Sequence, residues 1–317
     1  MAFAIDGTAC IECGICREVC PPHAIRHRRD RTIHQYEILA DRCLECEDAP
    51  CLALCPVEDA VRTSFPAERV EALRRFPPHR PEWPGTSLVA TCATRAAALP
   101  ELVADDAFLA AAERGALDDR HWVGAIEALW ELKRWSYTVY GTWVNHTAPR
   151  RFMDLEYWIS RILFDEWREL SLYTEVLIQK GFARHKRELV RKEYAKLPDF
   201  LGSAGRFVDW QEINAQFEPP IRFASLAGQR HVERAWKERL ASSAPPPLAA
   251  VFRSQLPALG SHVYMAMIAI GRHHDGSAVE AKEVLFAFEQ GAQAFAKALG
   301  EIGRRGLAGV TDAARPS

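Results

Sequence analysis

From Asp119 onward, apolar residues recur every three or four positions, the spacing of one face of an α-helix. Between Trp158 and Leu177 the stripe is Ile159, Ile162, Leu163, Leu170, Tyr173, Val176 and Leu177. A second stripe runs through Leu256, Leu259, Val263, Ala266 and Ile270. The pattern predicts helices over about 119–146, 151–181, 184–196, 220–242, 249–272 and 277–301. Gly181, Gly271 and Gly300 are candidate helix ends, and Ser277 with Glu280 three residues on reads as a capping box. Ala241-Ser-Ser-Ala-Pro-Pro-Pro247 separates two helices. No strand-like alternation of useful length interrupts this region, so residues 119–302 read as an all-α bundle and 303–317 as a flexible tail.

Residues 66–118 read as a connector rich in proline. Helices are predicted over Ala67–Phe76 and Asp105–Arg114, the second stopped at Gly115. Between them, Pro77-Pro-His-Arg-Pro-Glu-Trp-Pro84 cannot be helical, because proline lacks the N–H and fixes φ; it reads as an extended spacer.

The chain has 317 residues, 48% hydrophobic and 26% charged, which suggests two domains. Its net charge of −2 lacks the basic surplus of a nucleic-acid binder. No apolar run of about 18 residues is present, so no membrane span is expected. The opening Met-Ala-Phe-Ala-Ile-Asp has no basic start and no apolar stretch, so no signal peptide is read there. Eight of the nine cysteines fall between Cys10 and Cys55, and only Cys92 lies outside. Such crowding points to a metal site in a reducing, cytoplasmic setting, not to disulfides. Cys92 has no second ligand near it and reads as a buried, inert thiol.

The first cysteine run is Cys10-Ile-Glu-Cys13-Gly-Ile-Cys16-Arg-Glu-Val-Cys20-Pro21, a C-x2-C-x2-C-x3-C-P spacing. The second is Cys43-Leu-Glu-Cys46-Glu-Asp-Ala-Pro-Cys51-Leu-Ala-Leu-Cys55-Pro56, with four residues between its second and third cysteines. Thiolates two residues apart on a tight loop converge on the irons of one cube. Gly14 lets the backbone pass close to it. A zinc site built from two C-x2-C pairs would leave the third cysteine and the trailing C-P of each run unexplained.

Residues 1–65 resemble the bacterial two-[4Fe-4S] ferredoxin family. The resemblance implies two [4Fe-4S] clusters, and strands at Phe3–Ile5, Ala24–His27, Tyr36–Leu39 and Ala60–Thr63. It also implies that the fourth cysteine of each run serves the other cluster. Cys10, Cys13, Cys16 and Cys55 then hold one, and Cys43, Cys46, Cys51 and Cys20 the other. The whole chain is thereby expected to be α+β, a small two-cluster domain followed by an all-α bundle. Arg26, Arg28, Arg29 and Arg31 make one hairpin cationic, either a solvated turn or a docking edge for an acidic redox partner protein.

In the helical region Glu166 and Glu169 fall on the apolar stripe of their helix. Buried carboxylates are costly, so they meet either a metal or a cation from a neighbouring helix, such as Lys133 or Arg134. The arrangement resembles the ferritin-like di-iron carboxylate superfamily. That resemblance implies a site of one or two additional irons held by Glu131, Glu166, Glu169 and His262. Glu131 lies 35 residues before Glu166, as a helical hairpin requires. The sequence departs from the family pattern at Glu169, where a His is expected, at Gln229, with Glu233 one turn on, and at Leu259.

Two functions follow. In the first, the ferredoxin domain feeds electrons to a metal or small-molecule substrate site in its own bundle, as an oxidoreductase. In the second, the chain is an electron carrier whose bundle is a docking module or makes a homodimer. No G-x-G-x-x-G motif in a strand–helix setting suggests a bound nicotinamide or flavin.

Overall fold

The computed structural model describes residues 3–10, 14–18, 20, 22–28, 36–46, 49–53, 55, 57, 59–73, 83–147, 153–182 and 218–309. The N-terminal unit contains strands β1 (Phe3–Ile5), β2 (Ile25–His27), β3 (Tyr36–Ile38) and β4 (Val61–Thr63). Each lies within one residue of its expected bounds. Strands β1 and β4 pair antiparallel, with Phe3 opposite Thr63, and β2 pairs with β3, with Ile25 opposite Ile38. Between the strands lie two single turns of helix, α1 (Ile15–Glu18) and α2 (Pro50–Ala53); α3 (Ala67–Leu73) follows β4 and packs on α2. Phe3, Ile25, Tyr36 and Val61, the first residue of each strand, are all buried. They form two small cores in which the side chains share space with cysteines.

The helical unit contains α4 (Thr86–Ala96), a 3₁₀ turn (Leu99–Val103), α5 (Ala107–Glu113), α6 (Asp119–Thr147), α7 (Met153–Gln179), α8 (Pro219–Ser243), α9 (Pro246–His273) and α10 (Ala278–Ala308). Helix α8 packs on α9 and α10, α6 on α7 and α10, and α7 touches α9. The α8–α10 contact is backbone to backbone. A Cβ on Gly228 would stand 2.0 Å from the Phe288 carbonyl oxygen, and one on Gly291 would stand 2.4 Å from that of Ser225. No helix among the described residues is long and apolar enough to cross a membrane.

Three expectations need correction. The bundle does not begin at residue 119: Leu88, Val89, Cys92, Val103, Phe108 and Leu109 are buried in the same core as the long helices. Nor does the last helix stop at Gly300 or at residue 302. It runs through Ala308, where Gly309 (φ 66°) caps it by donating to the Arg305 and Gly306 carbonyls. Gly271 is not a helix end but a contact point inside α9. Its carbonyl accepts from the Gly85 N–H at 3.0 Å, and Trp83 packs so close that a Cβ there would lie 2.5 Å from the indole. Ser277 caps α10 as expected, accepting from the Glu280 N–H at 3.1 Å. The helix predicted over 184–196, Pro77, Pro78 and Pro81 of the spacer, and residues 310–317 lie outside the described residues.

Candidate functional site

The two cysteine loops are built alike. Each first cysteine closes a turn at the end of a strand: Cys10 N–H donates to the Asp6 carbonyl and Cys43 N–H to the Leu39 carbonyl, both at 2.9 Å. The loops then need left-handed backbone, at Gly14 (φ 77°) in the first and at Glu45 (φ 49°) and Ala49 (φ 39°) in the second. Only Gly14 takes that conformation at no steric cost, and it is buried.

Two recesses of similar size result. One, of about 330 Å³, is lined by Cys20, Cys43, Cys46 and Cys51 with Phe3 and Ile38. The other, of about 340 Å³, is lined by Cys10, Cys16 and Cys55 with Ile5, Tyr36 and Val61. Each recess thus takes the last cysteine of the opposite run. Cys13 lies outside the described residues. Burial, and then the neighbouring Cys20 and Cys43, push the Cys51 thiol up to about 12. A set of thiolates so enclosed is stable only around a cation, which an iron–sulfur core supplies; this donor set fits such a cluster. The Ala24 N–H donates to Cys20 Sγ at 3.3 Å, the kind of contact that tunes cluster potential. Cys92 lines neither recess, and burial pushes its thiol up to about 12.

The core of the helical unit is charged. Lys133 on α6 points its ammonium at three carboxylates: Glu166 (3.1 Å) and Glu169 (2.9 Å) on α7, and Glu233 (2.6 Å) on α8. Lys237 binds Glu169 and Glu233, both at 2.7 Å. Arg230 binds Glu166 and Glu233. All six side chains are at most 3% exposed. Three buried cations therefore meet three buried carboxylates, and the cluster balances to zero. Burial alone would push the Glu233 carboxyl up, but Lys133, Lys237 and Arg230 hold it well below the usual carboxylate range. Burial would likewise pull the Lys133 ammonium down, and the three glutamates raise it above its ordinary value.

The four residues suggested as iron ligands are not brought to one point. Glu166 and Glu169 share the Lys133 ammonium. Glu131 is buried elsewhere, accepting from Trp135 Nε1–H at 2.8 Å; burial, offset only in part by Trp135, holds its carboxyl above the usual range. His262 faces Asp165 at 3.1 Å, and Asp165 also takes both arms of Arg161. Burial keeps the His262 imidazole below its ordinary value, against the pull of Asp165. Gln229 accepts from the Tyr140 hydroxyl at 3.1 Å. Among the described residues, the group whose ligand atoms converge within 4.8 Å is His274, Asp275 and Glu280, where the Glu280 carboxylate already meets the His274 ring and the Asp275 N–H beside the start of α10. Extra iron at Glu131, Glu166, Glu169 and His262 does not fit these side chains, because their ligand atoms do not converge and the charge of Glu166 and Glu169 is already neutralised by lysine and arginine.

Arg230 and Lys237 were not anticipated from the sequence, yet a signal for them exists. Leu226, Arg230, Glu233, Lys237 and Leu240 recur at the spacing of a single helix face, so the inward stripe of α8 is itself charged.

The family model for a 4Fe-4S dicluster domain matches residues 9–58. A ferredoxin-like protein in the vnf region of Azotobacter vinelandii is 48% identical over 61 residues, which are 18% of this chain and 88% of that protein. Ferredoxin-1 of Rhodobacter capsulatus is 38% identical over 65 residues, 19% of this chain and 94% of that protein. No solved structure matches the chain. By its N-terminal segment the chain belongs to the dicluster ferredoxin family. It is a ferredoxin-like iron–sulfur electron carrier, extended by a helical unit that those relatives do not span.

Proposed function

We propose that the chain is a two-cluster electron carrier in which Cys10, Cys13, Cys16 and Cys55 hold one [4Fe-4S] cluster and Cys43, Cys46, Cys51 and Cys20 the other. The helical unit serves as a docking or dimerisation module, without an iron site of its own. The observation that carries this reading is the exchange of Cys20 and Cys55 between the two recesses. The internal charge balance of the helical core supports the second part, as does the exposed face carrying Tyr137, Phe164 and Trp167.

The exchange is tested by iron analysis of paired variants. Cys20→Ser with Cys46→Ser removes one cluster, leaving about four of about eight irons. Cys20→Ser with Cys16→Ser removes both. If the second pair keeps a cluster that the first pair loses, the assignment is wrong.

A second reading sends the electrons to a small-molecule site inside the helical unit. Two buried atoms favour it: Glu166 Oε2 and His262 Nδ1 find no hydrogen-bond partner. Reductive titration separates the two. A carrier takes up about two electrons per chain, one for each cluster, whereas an acceptor in the helical unit adds to that number.

A further inference from the structure

We propose that electrons leave the chain at Leu44, on the rim of the recess lined by Cys20, Cys43, Cys46 and Cys51, and that the surface there fits a redox partner with an apolar patch rimmed by basic side chains. The inference rests on the carrier reading and names the side of the carrier that its partner meets. A single exposed leucine is ordinary on a protein surface, but the position of this one is not. Leu44 lines the recess, so it stands against the cluster that those four cysteines hold. It is also 71% exposed, and among the described residues of the N-terminal unit it is the one exposed large apolar side chain. The backbone fixes it there. The Arg42 and Cys43 N–H groups both donate to the Leu39 carbonyl, at 3.2 and 2.9 Å, which closes a turn just before Leu44, and Glu45 follows in left-handed conformation (φ 49°). Electron transfer falls steeply with distance, so a partner gains most where one apolar side chain is all that covers the cluster and contact expels the water over it.

Charge identifies the partner. Asp41 and Glu45 are exposed on either side of Leu44, together with Arg42, and residues 41–48 carry four carboxylates against that one arginine. An acidic rim steers a basic surface toward the leucine and turns an acidic one away. Of the cationic hairpin on the same unit, Arg26 is already paired with Glu37 at 2.8 Å, and Arg29 and Arg31 lie outside the described residues. The Ala24 N–H, 3.3 Å from Cys20 Sγ, favours the more negative, reduced state of the cluster behind Leu44, so an electron held there waits beside the contact.

The test uses the full chain carrying its clusters, reduced with dithionite that is then removed, and ferric cytochrome c as the probe, a small basic haem protein. One electron leaves a reduced cluster and turns ferric haem to ferrous; no bond is made or broken. Wild type transfers rapidly at about 10 mM ionic strength and more slowly at about 150 mM, where charges are screened beyond about 8 Å. Leu44→Ser transfers about fivefold more slowly, with iron content and reduction potentials at the wild-type level. Glu45→Gln is slower at low salt and has a flatter salt dependence. Val279→Ser, which removes a side chain 69% exposed on the helical unit, transfers at the wild-type rate. An unchanged rate in Leu44→Ser overturns the proposal, as does a rate that rises with salt or an equal loss in Val279→Ser. If Leu44→Ser sheds iron, Leu44→Ala replaces it; loss of a cluster in both makes Leu44 a structural cover and overturns the proposal. Wild type that takes up about two electrons and gives none to the cytochrome overturns the exit at Leu44 and leaves the clusters standing. Wild type that takes up none removes the carrier reading, and this inference with it.

Discussion

Replacing Glu233 with glutamine keeps the shape of the side chain and removes one charge. Glu233 is approached by three cations, Lys133, Lys237 and Arg230, and it is 1% exposed. The variant holds three buried cations against two carboxylates. Breaking a buried pair by removing one partner costs about 3–5 kcal/mol, because the charge left behind has neither water nor counterion. With a urea slope of about 3 kcal/mol/M, the midpoint falls by about 1–1.7 M. The assay follows from the sequence: the first of the nine tryptophans is Trp83, so none lies in the N-terminal unit and indole fluorescence does not report on it. Adding Lys237→Met restores two charges against two and recovers at least half of the loss. The pH dependence has a definite sign. The folded-state pKa of Glu233 is depressed, so its contribution is fully present above the unfolded carboxylate value of about 4.3 and is lost as pH falls through the folded value. A midpoint within about 0.3 M of wild type would refute the claim that this network is a charge-balanced unit.

Glu131 behaves in the opposite way. Its folded pKa is raised, so its ionised form is a cost at neutral pH; Glu131→Gln keeps the acceptor for Trp135 and unfolds no earlier than wild type at pH 7. A loss above about 1 kcal/mol would show that the carboxylate itself is needed. Gly228→Ala forces the α8 and α10 backbones apart and lowers stability by about 1–3 kcal/mol in the same fluorescence assay; an unchanged midpoint would contradict the close approach. Cys92→Ala retains the full iron content. In wild type, a thiol pushed up to about 12 is thiolate in roughly one molecule in ten thousand at pH 8, so iodoacetamide leaves Cys92 unmodified until the helical unit unfolds.

Much of the fold could be read from the residues. The spacing of the cysteines and the helical period are local signals, and both survive folding. Helix α4 was missed for a physical reason. Its sequence is small and rich in threonine, which favours strands, and it follows a proline run. In the folded chain Thr91 and Thr94 give their hydroxyls to the carbonyls of Ser87 and Ala90, four residues back, and the helix is held by burying Leu88, Val89 and Cys92. Such stabilisation comes from tertiary packing and leaves little trace in the local pattern. For Glu166 and Glu169 the sequence showed that they point inward and offered Lys133 as one alternative to a metal, which the fold supplies, but not what completes the network. That answer rests on Arg230 and Lys237, more than 60 positions away across a stretch whose length says nothing about register.

The regular structure of the N-terminal unit amounts to four strands of three residues and helices of four, four and seven. Pieces of that length do not hold themselves together in water. Their order arrives with the iron and leaves with it. A chain stripped of its clusters by oxygen keeps its helical unit and carries an opened end that proteases reach first. The two halves of the polypeptide are therefore expected to fail separately: loss of the clusters opens the N-terminal end, while the helical unit keeps its own core.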